Sequence, residues 1–374
     1  MFVVTPWEVR GKVDYEKLIK KFGTKPIDQR LLNRIKKHTK ELHFMLRRGI
    51  FFSHRDLDWI LDEYEKGNKF FLYTGRAPSG PVHIGHLIPW IFTKWLQNKF
   101  DVELWFQFPD EEKFLFKEGL SLKDTKKWTR ENALDVIALG FDPKKTYFLV
   151  DTIHAKLMYR EACRVAKKIT LSTAKATFGF TNKTNIGSIF YTAMQSVPAF
   201  LPSVLKGRNV PCLIPYAIDQ DAHFRIARDV LPKLGCYKPA AIHSKFVPGL
   251  GAGIKMSASE PQSCIFTTDT EEEIEKKIMN AFTGGGATVE EQKKKGGKPE
   301  ICSVYQYYYF LFEKDDEKLK EIYESCKSGK RVCGHCKQIL AERVKQFVAE
   351  HQKRRKEAEK LIEKFMLKIG SEYR

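Results

Sequence analysis

The stretch FFLYTGRAPSGPVHIGHLIPWIFTKWLQNKF, residues 70 to 100, decides the fold. With Lys69 its first part reads KFFLYTG, a short apolar and aromatic run ended by glycine, which predicts a buried strand. A turn shaped by Pro78, Gly80 and Pro81 follows, and then the chain is apolar at 87, 88, 90, 91, 92, 95, 96 and 100. That spread is too wide for a one-sided surface helix and predicts a helix buried on most faces, against the core or a partner. A strand turning sharply into a buried helix is the repeating unit of an open parallel sheet.

Working outward, VELWFQF at 102 to 108 and TYFLVD at 146 to 151 read as strands, with TKKWTRENALDVIALGF at 125 to 141 as a helix between them. Residues 152 to 200 read as mostly helical, and 210 to 235 as a strand, a polar turn at AIDQ and a helix. Three glycines in AIHSKFVPGLGAGIKMSASEP, 241 to 261, predict a mobile loop, after which helical patterns resume at TEEEIEKKIMNAF and run to the end. GGGATVEEQKKKGGKP, 284 to 299, is of low complexity and predicts an exposed loop. On the amino-terminal side, residues 12 to 66 read as helices, the last of them capped by Ser53 with Asp56 in its first turn. The expected architecture is α/β: a Rossmann-like doubly wound parallel sheet with a helical amino-terminal extension and an all-α helix bundle at the carboxyl end. The expected segments are 1–66, 67–260, 261–366 and a tail at 367–374.

The 65 Lys and Arg residues outnumber the 46 Asp and Glu by 19, which favours a polyanionic partner such as nucleic acid. A generally basic proteome would give the same excess. No uncharged run approaches the roughly 18 residues of a membrane span, and MFVVTPWEVRGKVDYEKL lacks the order of a secretory signal, so a cytoplasmic protein with no membrane partner is expected. Eight scattered cysteines argue against a disulfide framework. Cys333 and Cys336 form a CxxC pair, but Cys326, His335 and His351 nearby do not complete a familiar zinc spacing, so free thiols and no resident metal are expected.

The chemistry concentrates in two motifs. HIGH, 83 to 86, falls where a strand of a parallel sheet becomes a helix, the place where such sheets bind ligands and where a helix start offers amide donors. His83 and His86 can each present a ring nitrogen to phosphate oxygens, and Gly85 has no side chain to hold a ligand off. Their expected role is to stabilise charge developing on phosphorus. KMSAS, 255 to 259, lies on the glycine-rich loop: Lys255 can bring a positive charge to the β and γ phosphates, with hydroxyls from Ser257 and Ser259 beside it. Alone, either motif is equally an ordinary cap or an exposed turn.

Together, in this order, they resemble the signatures of class I aminoacyl-tRNA synthetases, HIGH and KMSKS. FFLYTGRAPSG, FTKWLQNKF, QFPDEEKFLFKEGL, AIDQD, KMSASEP and EHQKRRKE, preceded by RRGIFFSHRDL, are similar to the eukaryotic type of tryptophanyl-tRNA synthetases, from VTPWEV at 4 to 9 through KRRKEAEKLIEKFM at 353 to 366. The resemblance implies activation of L-tryptophan by ATP with Mg²⁺ on the phosphates, transfer to tRNA(Trp), and a homodimer. It makes 1–66 the extension of that type, 67–260 the catalytic domain and 261–366 the anticodon-binding domain. Catalysis then falls to His83, His86, Lys255 and Ser257. ATP would meet Arg76, Gly85, Asp219, Lys255, Met256, Ser257 and Ser259.

For tryptophan, the resemblance implies that Tyr73 and Gln107 take the indole N–H, while Glu112, Gln195 and Gln220 hold the ammonium group. Ala258 departs from the general signature, leaving Lys255 with more of the task. Trp7 would help to cover the pocket, and Lys337 and the KRR run at 353 to 355 would meet the tRNA. Neither a further amino-terminal helix-turn-helix domain before PWEV nor an inserted editing domain is expected. The residues leave three other readings open: a small nucleotidyltransferase using HxGH alone, a silent RNA-binding paralogue, and a tyrosine-specific enzyme.

Overall fold

The computed structural model describes residues 3–4, 9–10, 13–253 and 256–368, so Trp7 and Lys255 lie outside the described residues. Apart from a short antiparallel pairing of Val3–Val4 with Val9–Arg10, the strands form a single sheet. They are β1 (Lys25–Pro26), β2 (Phe51–Arg55), β3 (Phe71–Gly75), β4 (Leu104–Phe108), β5 (Thr146–Val150), β6 (Cys212–Ala217) and β7 (Ala240–Ser244), in the spatial order β1-β2-β7-β6-β3-β4-β5. Strands β3 to β7 are parallel throughout. Numbered among themselves they run 5-4-1-2-3, the doubly wound order, with the reversal of direction between β3 and β6.

The strand pattern decides this. Alternate side chains point to opposite faces, and in β3 Leu72 joins one apolar core while Phe71 and Tyr73 join the other. The first core contains α1 (Ile84–Phe100), whose Leu87, Ile88, Trp90, Phe92, Leu96 and Phe100 are buried within this chain. It extends through α2 (Leu122–Ala138) to the carboxyl-terminal helices, reaching Val344, Val348 and Phe365. The second core lies under α3 (Ile186–Met194) and α4 (Asp221–Val230). No helix among the described residues is long and apolar enough to cross a membrane.

Three expectations are corrected. Ser53 is not a helix cap: it sits fully buried in β2, its hydroxyl 2.9 Å from Nδ1 of His243 on β7, and the helix Leu57–Glu65 begins after Asp56. The extension is therefore not purely helical, because β1 and β2 add antiparallel strands to the catalytic sheet. FFSHR is too short to show its alternation, and its partner strand lies far along the chain. Next, 284–299 is not simply an exposed loop, since α6 (Val289–Lys295) forms within it after α5 (Glu271–Met279), with Gln292 and Pro299 buried. Its glycines permit contacts that no Cβ would: one built on Gly284 would lie 2.0 Å from the Lys298 carbonyl oxygen.

Last, Arg355 is not a solvated basic residue awaiting RNA. After α7 (Asp316–Lys327), α8 (Cys333–Ala358) carries it into an ion pair with Asp135 and a 2.9 Å contact with Glu131 of α2, where His351 also meets Asp135 at 2.9 Å. Lys353 and Arg354 are exposed, whereas the Lys337 ammonium donates to the Met279 carbonyl at 2.7 Å.

Candidate active site

His83 caps α1 and His86 stands one turn in, so their rings stack with centroids 3.6 Å apart. The His83 backbone N–H donates to Nδ1 of His86 at 3.2 Å, which places the proton of a neutral His86 on Nε2. The helix start is not an open row of amides. Ile84 N–H donates to the Ile265 carbonyl at 3.0 Å, Gly85 N–H to the Met256 sulfur at 3.1 Å, and His86 N–H to the His83 carbonyl at 2.9 Å. What the helix start leaves for a ligand is therefore side chains rather than these amides. Gly85 admits its neighbours rather than only a ligand: a Cβ there would stand 3.0 Å from the His83 ring and 3.1 Å from the Met256 sulfur.

The two motifs thus meet through Met256, which is buried, with its N–H donating to the Val247 carbonyl at 3.1 Å. The chain after KMSAS secures the junction, because His83 and Phe266 form an antiparallel bridge and Thr267 N–H donates to the Val82 carbonyl at 2.9 Å. A buried Lys277–Asp269 pair at 2.6 Å ties that segment to α5. Ser257 and Ser259 hydroxyls lie 2.8 Å apart on the outer side of the turn.

On the other flank, polar side chains from four elements interlock. The Tyr73 hydroxyl donates to Oε1 of Gln107 at 2.5 Å. Gln195, which ends α3, donates Nε2–H to the Tyr73 oxygen at 2.6 Å and to Gln107 Oε1 at 3.1 Å. Tyr191 bonds both Gln195 Oε1 and, at 2.9 Å, Glu112 Oε2. Buried amides and hydroxyls need partners, and here they supply one another. Burial alone would raise the Glu112 carboxyl, but Lys113 beside it, His223 and the Tyr191 hydroxyl hold it below the usual carboxylate range.

Four of the five residues expected at tryptophan therefore come together, with Gln195 bridging rather than grouped with Glu112 alone. The fifth, Gln220, lies half-buried with Asp219 on the turn after β6, across the switch point. Arg76 braces the turn itself: Nε donates to Asn132 Oδ1 at 2.6 Å, and Nη2 to the Gly80 and Pro81 carbonyls at 3.3 and 3.0 Å. Burial pushes its guanidinium down to about 10.

Sequence reading missed three participants. Asp151, at the end of β5, accepts from Gln107 Nε2 at 2.7 Å and so fixes which end of that amide faces Tyr73; a carboxylate closing an apolar strand was its only signal. Its neighbour Glu111 is pushed up to about 7 by burial. Tyr191 gave no signal beyond an aromatic in a helix. Arg55 grips Asp221 with two bonds of 2.8 Å and so fixes α4 where it leaves the Asp219–Gln220 turn; its strand was read as helix.

A family model described as "tRNA synthetases class I (W and Y)" matches residues 65–349. The chain is 52% identical to the tryptophan–tRNA ligase of Pyrobaculum calidifontis over 98% of each chain. It is 54% identical to that of Pyrococcus abyssi, over 97% of this chain and 94% of the relative. The crystal structure of Plasmodium falciparum tryptophanyl-tRNA synthetase superposes with a TM-score of 0.89 at 41% identity, covering 95% of this chain and 98% of that one.

Proposed function

The chain belongs to the class I tRNA synthetases of the tryptophan and tyrosine family, and from that premise we propose that it is a tryptophan–tRNA ligase. It activates L-tryptophan with ATP and passes the acyl group to tRNA(Trp). The observation that carries the choice of amino acid is the buried Tyr73–Gln107–Gln195 cluster at the ends of β3, β4 and α3. Its phenol and amide oxygens are acceptors for an indole N–H. Tyrosine would bring a smaller ring whose O–H donor stands elsewhere than an indole N–H, so it would forgo that added bond to the cluster.

The carboxylate of tryptophan is already a nucleophile, so the first step needs no protein base. It attacks the α-phosphate of ATP in line, and pyrophosphate leaves. Positioning and charge stabilisation are what remain for the protein to supply. His83, His86, Lys255 and Ser257 stabilise the charge moving onto the phosphates, Mg²⁺ accompanies the nucleotide, and Gly85, Met256 and Ser259 frame it. Asp219 meets the ribose; Glu112 and Gln220 receive the ammonium group. Arg76, whose donors brace the turn, acts on ATP through the shape of residues 76–81.

The tRNA lies along the helices of 261–366, and the protein is a cytoplasmic homodimer. ATP–pyrophosphate exchange with each amino acid in turn tests this reading. Exchange with tryptophan alone supports it. Exchange with tyrosine alone makes it the tyrosine enzyme, and none at all makes it a silent paralogue.

A further inference from the structure

The carboxyl ends of three neighbouring strands carry one row of hydrogen bonds, and the row ends on an acid. The Tyr73 hydroxyl of β3 donates to Gln107 Oε1 of β4 at 2.5 Å, and Gln107 Nε2 donates to Asp151 Oδ2 at 2.7 Å. Asp151 directly follows β5, and its backbone N–H donates to the Phe108 carbonyl at 3.2 Å, so it extends the ladder one residue beyond the strand. Both protons in the row point toward Asp151. An amide has a donor end and an acceptor end, and Asp151 takes the donor end.

Asp151 is buried, and its carboxyl lies against that of Glu111, just before the helix Glu112–Phe116. Among the described residues, Asp151 Oδ1 and both Glu111 oxygens are buried with no hydrogen-bond donor from another residue. The adjacent acids are engaged elsewhere. Asp110 accepts from the Thr152 N–H at 3.0 Å and its hydroxyl at 2.5 Å, and Glu112 is held by Tyr191 and Lys113. Two carboxyls buried against each other do not both ionise, and a proton shared between them gives these oxygens the donor they lack. Burial, then the charge of Glu111, raises Asp151 well above the usual carboxylate range, whereas Glu111 is pushed up to about 7. The shared proton accordingly belongs to Asp151 Oδ1, which leaves Oδ2 a pure acceptor for Gln107.

We propose that Asp151, sharing a proton with Glu111, is the positioning residue that gives the pocket its preference for a ring bearing an N–H. This rests on the tryptophan reading above. With Asp151 on its Nε2 end, Gln107 offers Tyr73 only its oxygen, so the Tyr73 hydroxyl spends its proton there and turns a lone pair to the ligand. A lone pair receives an indole N–H. Without the acid the amide is free to turn over: Nε2 then donates to the Tyr73 oxygen, and the phenol proton is released toward the ligand, where it opposes an N–H. Gln195 favours the present orientation too, but it reaches Gln107 Oε1 at 3.1 Å while also serving Tyr73, so the 2.7 Å bond to Asp151 is the shorter of the two contacts that tell the amide ends apart. Asp151 thus acts on the ligand through two other side chains.

The test is calorimetry on the full chain with L-tryptophan and with its benzothiophene isostere, in which sulfur replaces the indole N–H. The unsubstituted protein should bind tryptophan about tenfold or more tightly than the isostere. Asp151→Ala should weaken tryptophan by a similar factor and leave the isostere nearly unchanged, so that the preference collapses. Asp151→Asn, whose amide donates to Glu111 and whose oxygen accepts from Gln107, should keep it. Equal weakening of both ligands by Asp151→Ala, or a preference left intact, would overturn the proposal. Loss of the preference in Asp151→Asn would do the same, and this variant, which keeps the side-chain volume, decides where the alanine variant fails to fold. The substrate is read separately: an unsubstituted protein that binds tyrosine and not tryptophan removes the tryptophan reading and this proposal with it, whereas tryptophan bound with no preference over the isostere overturns the proposal alone.

Discussion

The two flanks of the HIGH helix start are built differently. On the tryptophan flank, Tyr73, Gln107, Gln195, Tyr191 and Glu112 are locked to one another before any ligand arrives. On the KMSAS flank, Met256 is anchored by its sulfur and backbone and the Ser257 carbonyl by Glu260 N–H, while the Ser257 and Ser259 hydroxyls partner each other on the outside of the turn. Selection among amino acids needs donors and acceptors whose positions do not adapt to the wrong ring. Charge stabilisation needs groups that close on phosphate when it is present, and hydroxyls bonded only within the turn itself among the described residues allow that. With the roles proposed above, the contrast teaches that selectivity would be stored in the free protein, whereas much of the catalytic geometry would wait for ATP.

Each flank has its own way of failing. The largest effect is expected at Lys255→Ala, which should slow adenylate formation on the order of 10²–10³-fold, the loss typical when one donor to the transition-state charge is removed, while tryptophan binding barely changes. Equal losses in single-turnover rate and tryptophan Kd would erase the contrast. Next comes the pH dependence of the locked flank. Burial and mutual repulsion raise both Glu111, to about 7, and its neighbour Asp151, so the folded protein keeps protons that the unfolded chain gives up in the usual carboxylate range, and stability falls as pH rises out of that range. Denaturant midpoints should show that fall, and Glu111→Gln should lessen it by removing one of the two groups and its repulsion of Asp151.

Gln107→Leu should come third. It strips partners from Tyr73, Gln195 and Asp151 at about 1–3 kcal/mol, and calorimetry should show tryptophan affinity reduced by roughly tenfold or more with less selectivity against tyrosine. Ser259→Ala should be smallest, with the unfolding free energy changed by less than about 0.5 kcal/mol; a larger shift would mean that the turn is as rigid as the pocket.

Most of the parallel sheet was legible because each strand from 69 to 151 is a short apolar run between helix patterns. β2 was not, because FFSHR takes its meaning from pairing with Ala240–Ser244, and five residues show little periodicity. The tryptophan residues were reached through resemblance, and their mutual bonding was invisible because it joins positions 73, 107 and 195. Arg355 looked like one cation in a basic run, and only the packing of α8 on α2 shows that it faces inward. Cys333 and Cys336 were visible as a pair, whereas Cys302 and Cys326 become neighbours only when 284–299 folds.

The long reach of β2 also sets a timetable for synthesis. Ser53 leaves the ribosome 190 residues ahead of His243, and at ~5–20 residues per second that is a wait of roughly 10–40 s. Through that interval the amino-terminal edge has no sheet to join, and the Arg55 guanidinium has no Asp221 to grip until the chain has grown past the switch point. Nascent chains of this protein should accordingly gain protease resistance at the amino terminus late, only once residue 244 has cleared the exit tunnel.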